Sequence, residues 1–409
     1  MDRRRSRRAA LTLGVVAVLA TAACGSGGDA AGGGASGTPV KVGLVLDESG
    51  PYQAAYITNW GTATKAAAEY VNKELGGFGG RQVEVVECDS QSTTAGSLTC
   101  ANKMVQSKVD FVTGLSLNFG PNGVPVLEKA AIPVQMFPIA SQDYTASNSF
   151  PLAGGSAASY PARANYSITK EGEKTAAFTA ADSGPAQLAL QQLQPIYAKA
   201  GGTVLDALVP ASSADLAPTI AKIMQAKPDV VINSLAGVKG VSLYTGLYAQ
   251  GYDPKRVFGA GSLVDVDNFY SKVQPAAAVE GSLYELQCDS PDDTANPDVA
   301  TYRKAMTDYT DIEGRSEYAL LGFSAVMTNY NLAKQIGFEN FSKESMAKVY
   351  MTETVPVFAG YQYSRASAPA DYPAVGNPFV RIVRYQGGQI VNVEDGWANA
   401  MSGEIVAAT

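Results

Sequence analysis

An α/β chain folded as two Rossmann-like lobes with parallel sheets follows from three observations. From Val40 onward short β-branched runs alternate with amphipathic stretches, the rhythm of a parallel sheet covered by helices on both faces. The same alternation restarts near Lys174. Without its first 23 residues the chain still has 386, too many for one ordinary core.

The elements are read in order. Val40–Leu46 is a first strand, and Ser49-Gly50-Pro51 is the turn at its carboxyl end. Ala55 to Leu75 carries apolar residues at helical spacing, and Gly76-Gly77 ends it with residues that accept positive φ. Gln82 to Glu87 is the second strand, Ala95 to Gln106 a helix, Asp110 to Gly114 the third strand, and Ile132 to Phe137 continues the series. The second series runs through a strand at Thr175–Ala180, a helix at Ala186–Ala200, a strand at Thr203–Val209 and a helix at Leu216–Gln225. It continues with a strand at Asp229–Asn233, a helix at Val241–Gln250 and a strand at Val257–Gly259. Helices near Asp298–Tyr309 and Glu317–Ile336 break the rhythm, and Phe379–Tyr385, Gly387-Gly388 and Ile390–Val393 read as a β-hairpin.

Residues 1–23 have the form of an export signal: five arginines (Arg3, Arg4, Arg5, Arg7, Arg8), the apolar run Ala9 to Ala20, then Thr21-Ala22-Ala23 before Cys24. The glycine-rich stretch that follows has no core-forming side chain, so residues 24–38 read as a flexible tether. The pattern resembles a bacterial lipoprotein signal with Cys24 as the lipidated residue, although Thr21 stands where such signals usually carry Leu. Ordinary secretion with an unmodified cysteine is the alternative. Ser6-Arg7-Arg8 also resembles a twin-arginine signal with Ala10 in place of the usual Phe, so both export routes remain open. No other segment approaches the length of a membrane span, and attachment to the membrane is expected through Cys24 alone.

Removing that leader leaves 26 basic and 37 acidic residues, a net charge of −11, which argues against a nucleic-acid partner. Histidine is absent, which removes the commonest general base and transition-metal ligand. Ser-His hydrolases are thereby excluded. No G-x-S-x-G elbow, phosphate-binding P-loop or G-x-G-x-x-G fingerprint occurs. The expected protein is not an enzyme and uses no cofactor or metal. Cys88, at the end of a strand, and Cys100, in the next helix, are expected to pair in an exported chain; two buried thiols are the alternative. Cys288 is then left buried and inert.

Val71-Asn72-Lys73-Glu74-Leu75-Gly76-Gly77-Phe78-Gly79-Gly80-Arg81-Gln82-Val83-Glu84-Val85 resembles the Asn, Gly-Gly, x-Gly-Arg, strand stretch of the leucine/isoleucine/valine-binding family. These type I periplasmic binding proteins are the solute receptors of branched-chain-type ABC importers. Ser49-Gly50-Pro51, the loop Gly114 to Gly120, and Asp253-Pro254 to Gly259 are similar to further motifs of the family. The resemblance implies two lobes crossed three times by the chain, near Phe150–Gly155, Leu283–Cys288 and Val355–Tyr361. Lobe 1 would comprise 39–152 plus 287–355 and lobe 2 would comprise 153–286 plus 356–409, with the ligand between them.

The resemblance also implies ligand positions. In the first lobe these are Ser49, Tyr52, Asn118, Ala140 and Ser141; Asn118 and the amide and hydroxyl of Ala140-Ser141 would take a carboxylate. Asn118 has an alternative as a helix cap, and Ser141 as a partner of its own loop. Tyr144 and Tyr160 are further candidate aromatic walls. Second-lobe positions are Ser183, Ser234, Gly261 and Ser262. Asp182-Ser183-Gly184-Pro185-Ala186 lacks the family's usual aromatic lid, and Gly261-Ser262 stand where amino-acid binders place an acid against the α-ammonium. Unless Asp265 or Asp267 turns inward, the expected solute is a small carboxylate, amide or aromatic compound rather than leucine, isoleucine or valine. The implied function is an extracytoplasmic, membrane-anchored receptor that delivers its solute to an ABC permease. A sensor of the same fold, or an enzyme built on it, is the alternative.

Overall fold

The computed structural model describes residues 37–50, 54–210 and 212–407. The leader, the tether with Cys24, and Tyr52 lie outside them. The first sheet is built from β1 (Val40–Leu46), α1 (Ala55–Glu74), β2 (Val83–Asp89), α2 (Thr94–Ser107), β3 (Phe111–Leu115), α3 (Phe119–Lys129) and β4 (Val134–Met136), in strand order β2-β1-β3-β4, all parallel. Alternate residues of β1 feed opposite cores, Val42 and Leu44 one and Val45 the other, because successive side chains of a strand point to opposite faces. Cys88 at the end of β2 and Cys100 in α2 form the expected disulfide, and Cys288 is buried and free.

A short α4 (Ser141–Thr145) leads to α5 (Ser156–Thr169), and the second sheet then forms through β5 (Thr175–Thr179), α6 (Gly184–Lys199), β6 (Thr203–Asp206), α7 (Ala217–Ala226), β7 (Val230–Asn233), α8 (Gly237–Ala249), β8 (Val257–Gly259) and β9 (Leu283–Leu286). Strands β6-β5-β7-β8-β9 are parallel in that order. Both faces are again buried: Ala177 and Val231 on one, Phe178 and Ile232 on the other.

After β9 the chain returns to the first lobe as α9 (Pro297–Tyr309), α10 (Glu317–Ile336) and α11 (Lys343–Thr352). Val326 and Tyr350 pack with Val42 and Ala63 in one core, so that core draws on two separate stretches of sequence. A small hairpin of β10 (Val355–Pro356) and β11 (Gln362–Tyr363) follows. The second sheet is completed by β12 (Phe379–Gln386), β13 (Gln389–Asn392), β14 (Trp397–Asn399) and β15 (Ile405–Val406), with β12 antiparallel to β9 and to β13.

One expected crossing narrows and one shifts. Leu283–Leu286 belongs to the second sheet as β9, so the second passage begins at Gln287, where the first lobe was expected to resume. Val357, Phe358 and Tyr363, expected in the second lobe, pack in the first core, which places the third passage between Tyr363 and Phe379. The cause is the β10–β11 hairpin, which turns the chain back onto the first lobe before releasing it. Among the described residues no helix is long and apolar enough to cross a membrane.

Candidate functional site

The carboxyl ends of β7, β8 and β9 deliver Ser234, the segment Ala260–Ser262, and Gln287 to one place, as open parallel sheets do. Opposite them stand the first turn of α10, with Glu317 and Tyr318, and Phe137 just after β4. Helix α5 closes the floor with Ser159, Tyr160 and Arg163. Between the two lobes these residues enclose a polar cavity of about 130 Å³.

Three ionisable side chains meet there with almost no solvent contact: Arg163 at 0%, Glu285 at 1% and Glu317 at 1% relative exposure. Arg163 donates to the Asn233 carbonyl (3.0 Å), to Ser234 Oγ (3.1 Å) and to Ser159 Oγ (3.3 Å), and its guanidinium lies 4.9 Å from the centre of the Tyr160 ring. Its Nε is 3.4 Å from Glu285 Oε2, an ion pair rather than a hydrogen bond. Glu285 Oε1 accepts from Ser159 Oγ and from the Gly261 amide at 3.3 Å. Glu317 Oε1 accepts from the Gln287 amide at 2.7 Å. The second oxygens of both acids, Glu285 Oε2 and Glu317 Oε2, are buried without a hydrogen-bond partner. Buried polar atoms are normally satisfied, so two orphaned acceptors lining one cavity mark a place built for donors.

Electrostatics follow from the burial. Glu317 is pushed up to about 8, chiefly by desolvation and then by the Glu285 charge, with the Gln287 amide and Arg163 pulling the other way. Burial also raises Glu285, opposed mainly by Arg163 and Ser159. Gly261 is what lets Glu317 in: a Cβ there would collide with Glu317 Oε2 and stand 2.7 Å from the Glu285 carbonyl.

A second pocket of about 530 Å³ shares Ser156 and Tyr160 with the polar cavity. Its wall is largely apolar and aromatic, with Ile139, Tyr144, Pro185, Leu188 and Tyr372 from both lobes and from the last passage. Tyr144 and Tyr372 meet edge to face at 5.2 Å. The two spaces together suit a molecule with a polar head and an apolar body.

The structure brings Ser234, Gly261 and Ser262 to the polar cavity, and Ala140 and Ser141 to the apolar pocket. Tyr144 and Tyr160 also line the cleft. Three expected positions are used elsewhere. Ser49 Oγ donates to Asp89 at 2.5 Å, Asn118 turns its amide onto the Ser92 carbonyl at 2.5 Å, and Ser183 caps α6 by accepting from the Ala186 amide at 3.3 Å. Asn118 precedes α3 as its cap residue but makes no side-chain cap bond.

The Ala140 amide, expected to help hold a ligand carboxylate, carries one of the chain's own acids, and neighbouring amides carry another. Asp143 Oδ2 accepts from Ile139 and Ala140 (3.0 and 2.8 Å), and burial pushes Asp143 up to about 6 against those two bonds. Asp47 accepts from the amides of Ser92 and Leu117 (3.0 and 2.9 Å). Asp265, considered as an inward acid, instead accepts from the Asp267 and Asn268 amides and from Asn59 of α1 at 2.9 Å.

Arg163, Glu285 and Glu317 escaped the sequence reading. Each has a signal: an arginine among small residues in Ala157-Ala158-Ser159-Tyr160-Pro161-Ala162-Arg163-Ala164, an acid inside Leu283-Tyr284-Glu285-Leu286, and an acid heading the apolar run Tyr318-Ala319-Leu320-Leu321. A charge inside an apolar run is either buried with a partner or functional.

Among solved structures, the chain is similar to an ABC-transporter solute-binding protein from R. palustris in complex with benzoate, at 20% identity and a TM-score of 0.69, over 90% of this chain and 98% of that one. It is also similar to a leucine-binding protein from Thermotoga maritima, at 16% identity and a TM-score of 0.67, over 87% and 98% of the two chains. A branched-chain amino acid transporter substrate-binding protein from Streptococcus pneumoniae in complex with isoleucine gives 19% identity and a TM-score of 0.66, over 87% and 100%. At these identities the likeness is one of fold. No curated protein matches the chain. The family model for periplasmic binding proteins matches residues 39–374, and with two parallel α/β lobes around an interlobe cavity, the chain belongs to the periplasmic binding protein family, in its type I fold.

Proposed function

We propose that this protein is a solute-binding lipoprotein, held to the outer face of the cell membrane through Cys24, which captures a small organic solute between its lobes and hands it to an ABC permease. One observation carries the reading: a polar cavity between the lobes, joined to an apolar pocket and lined by two buried acids, each with one carboxylate oxygen that makes no hydrogen bond among the described residues. A solute that supplies donors to those oxygens gains more from the closed arrangement than from an open one. That difference in affinity is what drives closure and gives a permease a distinct state to read.

The solute's polar head belongs in the cavity of Arg163, Glu285 and Glu317, and its body against Ile139, Tyr144, Leu188 and Tyr372. The premise that the cleft lacks an acid for an ammonium no longer holds, because Glu285 and Glu317 supply acids from positions other than Gly261-Ser262. Amino acids therefore return to the candidates.

Two measurements test the proposal. Small molecules retained by the purified protein are identified by mass spectrometry and re-bound in calorimetry, with compaction followed by solution scattering; a retained solute that binds at micromolar level and compacts the protein is expected. Turnover of that solute, or binding without any change in dimensions, would refute it. Cys24→Ser is expected to move the protein from the membrane fraction to the soluble one, and equal retention of parent and variant would remove the anchor from the model.

A further inference from the structure

Glu285 lies on β9 of the second sheet and Glu317 on the first turn of α10 in the other lobe, and both line the same cavity: Glu317 Oε2 has no partner among the described residues, and Glu285 Oε2 has no hydrogen bond but only the 3.4 Å ion pair to Arg163. Arg163 balances one of the two acids through its ion pair with Glu285. When both acids are ionised the cluster carries one uncompensated negative charge on side chains with almost no solvent contact. A neutral ligand leaves that charge unanswered, and an anion adds to it.

We propose that the cavity is a monocation site, in which Glu317 Oε2 and Glu285 Oε2 accept the N–H donors of an ammonium or amidinium head group. This rests on the solute-receptor reading and names the class of head group. The site is assembled across the lobes, since one acceptor comes from each. Gly261 is the residue that opens it: the loop has no side chain at that position, and Glu317 reaches across from α10 into the space this leaves.

The arrangement couples binding to a proton. With Glu317 pushed up to about 8, the empty site holds a proton on that carboxyl at neutral pH, and a cation must displace it. The other titratable groups facing Glu317 stay out of the way. Tyr318 on its own helix, Tyr160 on α5 and the Cys288 thiol after β9 are all pushed up by burial, so they remain neutral through this range, as does Tyr56 on α1 beside Tyr318. Arg163 is the basic group beside them, paired with Glu285.

The test uses the purified protein with three probes that carry the same type of branched apolar body: isoamylamine, isocaproamide and isocaproate. Calorimetry from pH 6 to 9, in buffers of different ionisation enthalpy, reads affinity and proton exchange together. Isoamylamine is expected to bind best, with affinity rising about tenfold per pH unit between pH 6 and 8, levelling above it, and with release of up to one proton per amine bound. Glu317→Gln is expected to abolish both the slope and the proton release.

The same variant has a readout in the empty protein. Because the folded-state value of Glu317 is raised, the parent loses stability as pH rises from about 4.5 towards 8. Glu317→Gln should flatten that part of the decline. Isocaproate or isocaproamide binding more tightly than the amine, a pH-independent amine affinity, or an unchanged stability profile in Glu317→Gln would overturn the assignment. A retained cellular solute that closes the lobes while isoamylamine fails to bind would overturn the cation site and leave the receptor reading standing; failure to close on any solute would overturn both.

Discussion

Replacing Arg163 with methionine removes the guanidinium at the floor of the cleft while keeping a long unbranched side chain. The guanidinium makes four hydrogen bonds of 3.0 to 3.4 Å, to the Asn233 and Ser159 carbonyls, Ser234 Oγ and Ser159 Oγ, and pairs with Glu285. Taking one partner from a buried ion pair costs about 3–5 kcal/mol, because the other charge stays buried alone. The Asn233 carbonyl, at the end of β7, keeps the Ala260 amide at 2.9 Å, so losing the Arg163 donor there adds only about 1 kcal/mol. Part of this is recovered as Glu285 takes up a proton, so Arg163→Met should cost roughly 3–5 kcal/mol at pH 8 and distinctly less at pH 5. Burial already raises Glu285 with Arg163 present, and without it the carboxyl rises further, which sets that sign. Denaturant unfolding followed by circular dichroism at the two pH values measures both quantities. Adding Glu285→Gln should return most of the loss at pH 8, since the stranded charge is then gone. A cost below about 1 kcal/mol, the same cost at both pH values, or a double variant no better than the single would refute the reasoning.

Cys88 and Cys100 are 12 residues apart, and a loop that short contributes about 3 kcal/mol in the chain-entropy model. Reduction should lower the melting temperature by several degrees, and two free thiols in protein isolated without reductant would contradict the bridge. Gly261→Ala is expected to push Glu317 out of the cavity, cost about 1–3 kcal/mol in overpacking and weaken solute binding. Unchanged stability and affinity in calorimetry would show that Glu317 does not depend on that space.

The regular part of the fold was legible because periodicity reports burial. Strands β1 and β8 and helix α10 begin and end where the pattern puts them, and the hairpin of β12 and β13 was announced by Gly387-Gly388. Helix α5 was not, because Pro161 sits inside it and small residues blur its apolar face. Part of the site went with it: Ser159 and Arg163 lie on α5, and only Tyr160 of that helix was named as a cleft residue. Strand β9 read as part of a lobe crossing, which hid Glu285, and Glu317 read only as the first residue of a helix. Positions carried over from the family resemblance reached the cleft at Ala140 and Gly261. They missed it at Asn118 and Ser49, whose side chains bond within the first lobe. Hydrogen-bond partners of that kind depend on loop conformation, which neither spacing nor composition encodes.

The placement of the acids has a consequence for how the lobes communicate. An acid at position 261 would belong wholly to the second lobe, so a ligand could satisfy it without drawing the lobes together. Here one acceptor is on β9 and the other on α10, and the Gln287 amide holds Glu317 at 2.7 Å where the chain passes from one lobe to the other. Glu317 is thus fixed at the hinge side of the cleft, and separating the lobes exposes both acids to water, where they need no ligand. Closing them without a ligand buries two carboxylates with one guanidinium between them, which desolvation and mutual repulsion oppose. Protonation of Glu317 or arrival of a cation removes that opposition, and only the cation also supplies donors to both orphaned oxygens. The same charge arrangement that makes the empty closed form unfavourable at high pH therefore makes closure responsive to the solute, which is the property a receptor that presents only its loaded state must have.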